Sequence, residues 1–180
     1  MVLATFDSKS IQEMMNNFVL FYKDGKYTVD GMFDIGISTR EALENYIVSG
    51  DYTKCARSNE YACGNGALMR IFPLLPLIKN KDFVSKFQII KSYSLVTHNH
   101  KRVFLANYIY LRLMELLIDE PKKCLKHLLT IKNELENNID KLEYLENEDF
   151  NDFLLDRDID FSSYKDELLK FDKSILTKIL

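Results

Sequence analysis

After Gly66 the sequence contains no glycine at all. The six glycines of its 180 residues all lie between Gly25 and Gly66, and only three prolines interrupt the chain. This asymmetry divides it into a loop-rich first third and a helix-rich remainder. Cysteine is nearly as scarce. Cys55, Cys63 and Cys124 make an odd count, and Cys55 and Cys63 do not fit a zinc pair spacing. A disulfide framework and a structural zinc site are therefore not expected, and reduced thiols in a cytoplasmic protein are the simpler reading. Charge of one sign is also lacking. The net charge is −3, with Lys and Arg scattered among acids, so no global field favours a nucleic-acid backbone or an anionic membrane. No apolar run reaches the ~18–20 residues of a membrane span. The start, Met1-Val2-Leu3-Ala4-Thr5-Phe6-Asp7, has no positive n-region of a secretory signal. Alternating strand patterns and internal repeats are missing too.

What is present is hydrophobic and helical. At 47% hydrophobic and 12% aromatic residues, the chain can bury a core, and disorder is excluded for most of its length. Ser10-Ile11-Gln12-Glu13 is a capping-box pattern opening a helix from about Ile11 to Tyr22, ending near Asp24-Gly25. Ser38-Thr39-Arg40-Glu41 repeats the pattern before a helix that Gly50 stops. A helix is expected to begin near Gly66, strained by Pro73 and ended before Pro76. Residues 82–96 and 100–118 carry apolar residues at helical spacing, the second on most faces, which makes it central. Pro121 suits the first position of a helix running to about Ile139. A last amphipathic helix is expected from about Ser163. The class is all-α, a helical bundle. Tyr and Phe fall at helical spacing, as core residues rather than a base-stacking platform.

Four stretches bear on chemistry. Asp34 lies in the tight loop Phe33-Asp34-Ile35-Gly36, where it could accept a hydrogen bond from a ligand or cap its own loop's amides; local features favour the cap. Gly64-Asn65-Gly66 allows positive φ and close backbone approach, and the N-terminus of a following helix would suit a phosphate or sugar hydroxyl. It is not a P-loop, for the Lys-Ser/Thr pair is absent. Thr97-His98-Asn99-His100 falls between two helices with no adjacent carboxylate to complete a metal site, so capping or an ordinary polar contact is favoured. His127 reads as a helix-surface residue. Asp156-Arg157-Asp158-Ile159-Asp160, with Glu167 twelfth, has EF-hand ligand spacing. Phe161, however, stands where that loop needs glycine, and an acidic interhelical turn is favoured.

Taken in order, several stretches resemble the ADP-ribosylglycohydrolase family, of the dinitrogenase reductase-activating glycohydrolase type. They are Tyr22-Lys23-Asp24-Gly25, Gly31-Met32-Phe33-Asp34-Ile35-Gly36, Thr39-Arg40-Glu41-Ala42-Leu43, Gly64-Asn65-Gly66-Ala67-Leu68-Met69-Arg70 and Thr97-His98. The resemblance covers residues 1–118 as a core segment. Residues 119–180 match no motif and read as a helical extension of the same domain. It implies an all-α bundle, two magnesium ions in the active site, and hydrolysis of the ADP-ribose glycosidic bond on modified proteins or related substrates. Asp34 and His98 would face the substrate, and Gly64, Asn65 and Gly66 would line the ADP-ribose pocket. Glu60 is carried over as a further substrate-side residue. Ile37 departs from the Asn or small polar residue of many relatives, which weakens the carry-over of an arginine-type leaving-group contact.

Relatives carry a Thr/Ser-Asp-Asp-Thr motif upstream of the segment that Met1-Val2-Leu3-Ala4 matches, and a Gly-Gly-Asp-Thr-Asp motif near the C-terminus. Neither occurs here. The expectation is an incomplete bundle with no complete catalytic set, no tightly bound magnesium of its own, and little or no catalysis alone. The alternative is a non-catalytic helical module that binds ADP-ribose or interacts with proteins. The expected partners are ADP-ribose or an ADP-ribosylated protein, with neither nucleic acid nor membrane. An incomplete core would leave the apolar faces of residues 1–8 and 100–118 exposed, favouring self-association.

Overall fold

The computed structural model describes residues 1–32, 34–138 and 140–141. The Asp156–Asp160 stretch and the expected helix from Ser163 lie outside the described residues. Among those described there are seven α-helices and no strand, in keeping with the all-α class. They divide into one unit, Met1–Glu115, and a second beginning at Leu116.

In the first unit, α1 (Val2–Phe6) packs on α2 (Ile11–Asp24) and on short 3₁₀ turns. The Ser10 side chain accepts from the Glu13 N–H at 3.1 Å, while Glu13 reaches back to the Lys9 N–H at 2.8 Å, so the first capping box forms with its return bond one residue upstream. Gly25 ends α2 in a left-handed conformation at φ +67°. α3 (Ile37–Ser49) starts ahead of the second capping box. Its N-cap is Gly36, which has no side chain to offer, and Gly50 closes it at φ +69°. Ser38 therefore sits inside the first turn, and Glu41 bonds Arg57 at 2.7 Å instead. Met14, Met15 and Phe18 of α2 meet Ala42, Leu43 and Tyr46 of α3, with Ala4, Cys55 and Val96, in one buried cluster. Cys55, Cys63 and Cys124 are free thiols.

The helix expected from Gly66 does not form. Its place is taken by 3₁₀ turns Leu68–Arg70 and Phe72–Leu74 and the single-turn α4 (Leu75–Ile78). Pro73 and Pro76 each lie near the start of one of these pieces, where a missing N–H is harmless. Two such residues three apart cannot share one continuous helix.

α5 (Phe83–Ser94) is capped by Asp82, whose side chain accepts from the Ser85 N–H at 3.1 Å. α6 (Lys101–Asp119) is capped by His100, whose Nδ1 accepts from the Arg102 N–H at 3.2 Å. Tyr108 of α6 packs against Phe83 and Phe87. Glu115 receives Lys86 at 2.6 Å and Arg112 at 2.9 Å, a buried carboxylate with two cations. The apolar side of residues 100–118 is mostly buried: Val103, Phe104, Leu105, Tyr108 and Leu111 are all core residues, contrary to the expected exposure. Val2, Leu3 and Phe6 of α1 are exposed.

In the second unit α7 (Cys124–Glu136) begins three residues after Pro121 rather than at it. The Lys123 N–H closes a turn on the Glu120 carbonyl, and His127 Nε2 donates to that same carbonyl at 2.8 Å. His127 is therefore buried, not on the helix surface as expected. No helix among the described residues is long and apolar enough to cross a membrane.

Candidate functional site

A cavity of about 390 Å³ opens between the start of α3 and the Gly64–Gly66 turn. Asp34, Gly64, Asn65, Gly66 and His98, which lie far apart in sequence, all line it. Glu60 does not. It is exposed and pairs with Arg102 at 3.0 Å.

Asp34 is delivered by the loop between α2 and α3. Its carboxylate accepts no hydrogen bond from any described residue, so the capping role that local features favoured is not the one it adopts. Gly36, Ile37, Ser38 and Thr39 follow on the same wall. Because Gly36 provides no capping side chain, the first N–H groups of α3 carry no side-chain cap, and the positive end of the helix dipole lies at the cavity. The helix N-terminus expected after Gly66 is thus absent, and α3 supplies one instead.

Gly64 and Gly66 matter for space, not for handedness. Neither has positive φ, unlike Gly25, Gly31 and Gly50. A Cβ on Gly66 would stand 2.9 Å from His98 Cε1 and 3.1 Å from Thr39 Oγ1, whereas one on Gly64 would stand 3.5 Å from His98 Nε2. The backbone at Gly66 lies against the imidazole so closely that no side chain fits between them. Asn65 is exposed at the tip, and its carbonyl accepts from the Met69 N–H at 3.0 Å.

Arg70, 2% exposed, also lines the cavity. Among the described residues no carboxylate pairs with it. Its guanidinium donates to the carbonyls of Tyr93 at 2.8 Å and Ser94 at 3.4 Å, at the end of α5, and to Thr97 Oγ1 at 2.6 Å. The last-turn carbonyls and the negative end of the α5 dipole therefore serve as its counter-charge. The Phe18 ring lies 5.3 Å from the guanidinium carbon. Burial pushes its pKa down to about 9, which leaves it charged at neutral pH. His98 Nδ1 stands 2.9 Å from the same Thr97 hydroxyl. Burial first, and the charge of Arg70 second, push His98 down from 6.5 to about 4, so the imidazole in the cavity wall is neutral.

Asp34, the glycine turn and His98 were singled out from the sequence; Thr39 and Thr97 stood in its motifs without a role. Arg70 had a signal of its own: it is the one charge in the apolar run Ala67-Leu68-Met69-Arg70-Ile71-Phe72-Pro73-Leu74-Leu75, a pattern that demands either exposure or hydrogen bonding of the charge.

A family model described as ADP-ribosylglycohydrolase matches residues 2–168. The match runs well past residue 118, so residues 119–168 of the segment that carried no motif also belong to the matched region. No curated protein and no solved structure matches the chain.

Proposed function

Because the chain belongs to the ADP-ribosylglycohydrolase family, we propose that this cavity is the substrate wall for ADP-ribose and that the cavity as described does not cleave the glycosidic bond by itself. The observation that carries the reading is the convergence of Asp34, Asn65 and His98 on one cavity beside the Gly66 backbone. A volume near 390 Å³ lies in the range of small-molecule sites. Asp34 would accept from a ligand hydroxyl. The start of α3 would suit ligand oxygens carrying negative charge. Phe21, Ile35, Ile37 and Met69 would cover the apolar surface of the ligand.

The resemblance implies two magnesium ions. The described residues do not fit them: Asp34 is the cavity's only carboxylate, and no group of three or more His, Cys, Asp or Glu side chains among the described residues could hold a metal. A hard divalent cation needs about six oxygen ligands in fixed geometry, more than the described lining supplies. The same lone carboxylate supports a second reading, a non-catalytic module that binds ADP-ribose or an ADP-ribosylated protein.

Two measurements test this. Calorimetry with ADP-ribose is expected to give micromolar binding with or without magnesium, and the absence of heat at millimolar ligand would sink the binding site. A release assay on ADP-ribosylated protein with added magnesium is expected to show little or no product. Robust turnover by the 180-residue chain would overturn the non-catalytic part.

A further inference from the structure

We infer that Arg70 and Thr97 form a positioning pair that holds His98 in a single tautomer, with the proton on Nε2, so that the ring acts toward the cavity as a hydrogen-bond donor to a ligand oxygen.

The protons available to this cluster decide the tautomer. A guanidinium can only donate. Arg70 donates to Thr97 Oγ1 at 2.6 Å, which occupies one acceptor position of that hydroxyl. The hydroxyl still carries its own proton, and Thr97 is fully buried, so that proton must find an acceptor inside the protein. Among the described residues the hydroxyl has two partners, Arg70 and His98 Nδ1. Arg70 has no lone pair to give. The Thr97 O–H therefore donates to Nδ1 at 2.9 Å, and Nδ1 must be bare. In a neutral imidazole the proton is then on Nε2.

Nε2 is the ring nitrogen turned to the ligand side. It lies 3.5 Å from where a Cβ on Gly64 would stand and 3.3 Å from one on Gly66, and no described residue hydrogen-bonds it. A neutral ring with Nδ1 occupied and Nε2 protonated cannot take a proton from substrate or water. It can only present one N–H, at a place fixed by Thr97 on one side and the Gly66 backbone on the other. The matching ligand group is an acceptor oxygen, either a sugar hydroxyl or a phosphate oxygen. Arg70, at 2% exposure, serves in this arrangement as a positioning residue. It acts through Thr97: as a donor-only partner it cannot take the hydroxyl proton, so that proton is directed to Nδ1.

The tautomer stands independently of the ligand. Its use for ADP-ribose rests on the function proposed above. The test is a two-bond ¹H–¹⁵N correlation spectrum of the histidine rings in the ¹⁵N-labelled full chain at pH 7, with His98→Gln assigning the ring by loss of its peaks. The unmodified chain is expected to show Nε2 protonated and Nδ1 bare. An Nδ1–H ring, a fast-averaged ring or an imidazolium would overturn the inference. Thr97→Ser, which keeps the hydroxyl, is expected to keep the pattern. Thr97→Val, which keeps the shape, is expected to shift the ring toward Nδ1–H or a mixture, and an unchanged tautomer there would remove Thr97 from the device.

Titration with ADP-ribose then reads the ligand side. The Nε2–H resonance should move, and Thr97→Val should weaken binding about tenfold while Thr97→Ser stays within about twofold. If the unmodified chain shows the Nε2–H tautomer yet binds no ADP-ribose, the ADP-ribose assignment fails and the positioning pair stands.

Discussion

A single methyl group is enough to probe the wall around His98. At Gly66 it would meet His98 Cε1 at 2.9 Å and Thr39 Oγ1 at 3.1 Å. Neither neighbour can retreat easily: Thr39 is buried in the first turn of α3, and His98 is pinned through Thr97 to a buried arginine. Gly66→Ala should therefore lower stability by about 1–3 kcal/mol, the usual range for overpacking a closed site, and weaken ADP-ribose binding as well. Gly64→Ala is the contrasting case. Its methyl would stand 3.5 Å from Nε2, an ordinary contact, but on the ligand's side of the ring. Stability should change by less than about 0.5 kcal/mol while binding falls. Urea unfolding and calorimetry on both variants separate the two effects. A Gly66→Ala protein as stable as its parent would show that the imidazole is not confined. Of the two uses the sequence allowed these glycines, positive φ and close backbone approach, the structure takes the second, and what approaches is a histidine more than thirty residues away, which no local window contains.

At the scale of elements, Gly25 and Gly50 do the same local work. Each ends a helix in the left-handed region, at φ +67° and +69°, and each was legible as a stop. Their surroundings differ. A Cβ on Gly50 would enter open space, whereas one on Gly25 would stand 2.7 Å from the Gly31 backbone. Gly50→Ala is expected to cost about 1 kcal/mol from φ alone and to leave ADP-ribose affinity unchanged. Gly25→Ala should cost more and also displace residues 26–36, which deliver Asp34, so its affinity should fall too. Equal binding by the two variants would uncouple the Gly25–Gly31 contact from the site. The two capping boxes show where local pattern stops being informative. Ser10 and Glu13 form theirs because nothing competes. Ser38 and Glu41 have the same spacing. Yet the Gly36 carbonyl already accepts from the Arg40 N–H at 2.9 Å, which starts the helix earlier, and Glu41 is drawn to Arg57 in the next loop. A four-residue window contains neither competitor.

For the molecule as a whole, the all-α class could be read from residue patterns, whereas the set Asp34, Gly64–Gly66 and His98 came from the family resemblance, local features having favoured a loop cap and an ordinary polar contact. Arg70 could be suspected as a buried charge from its apolar run, but its counter-charge could not, because that is the end of α5 rather than an acidic side chain with a sequence signature. That arrangement has a consequence for acid stability. In the unfolded chain His98 titrates near 6.5, and in the folded chain burial and Arg70 lower it to about 4. Between those values the unfolded state binds the proton and the folded state does not, so stability falls as the pH falls. The contribution is fully present above about pH 6.5 and lost progressively toward pH 4, amounting to about 3 kcal/mol over the whole window. Carboxylates titrate in and below the same range. Asp51 and Asp82 are held below their ordinary values by hydrogen bonds from Thr53 and Ser85, and Glu120 by one from Lys123. Their effect is common to the parent and to His98→Gln, and comparing the two isolates the imidazole. Urea midpoints measured from pH 7 to 4.5 should decline steeply in the parent and distinctly less in His98→Gln. Parallel declines would mean that His98 titrates alike in both states and that the cavity wall admits water and charge freely. The steeper decline in the parent would identify the buried neutral imidazole of His98 as a group whose protonation opposes folding.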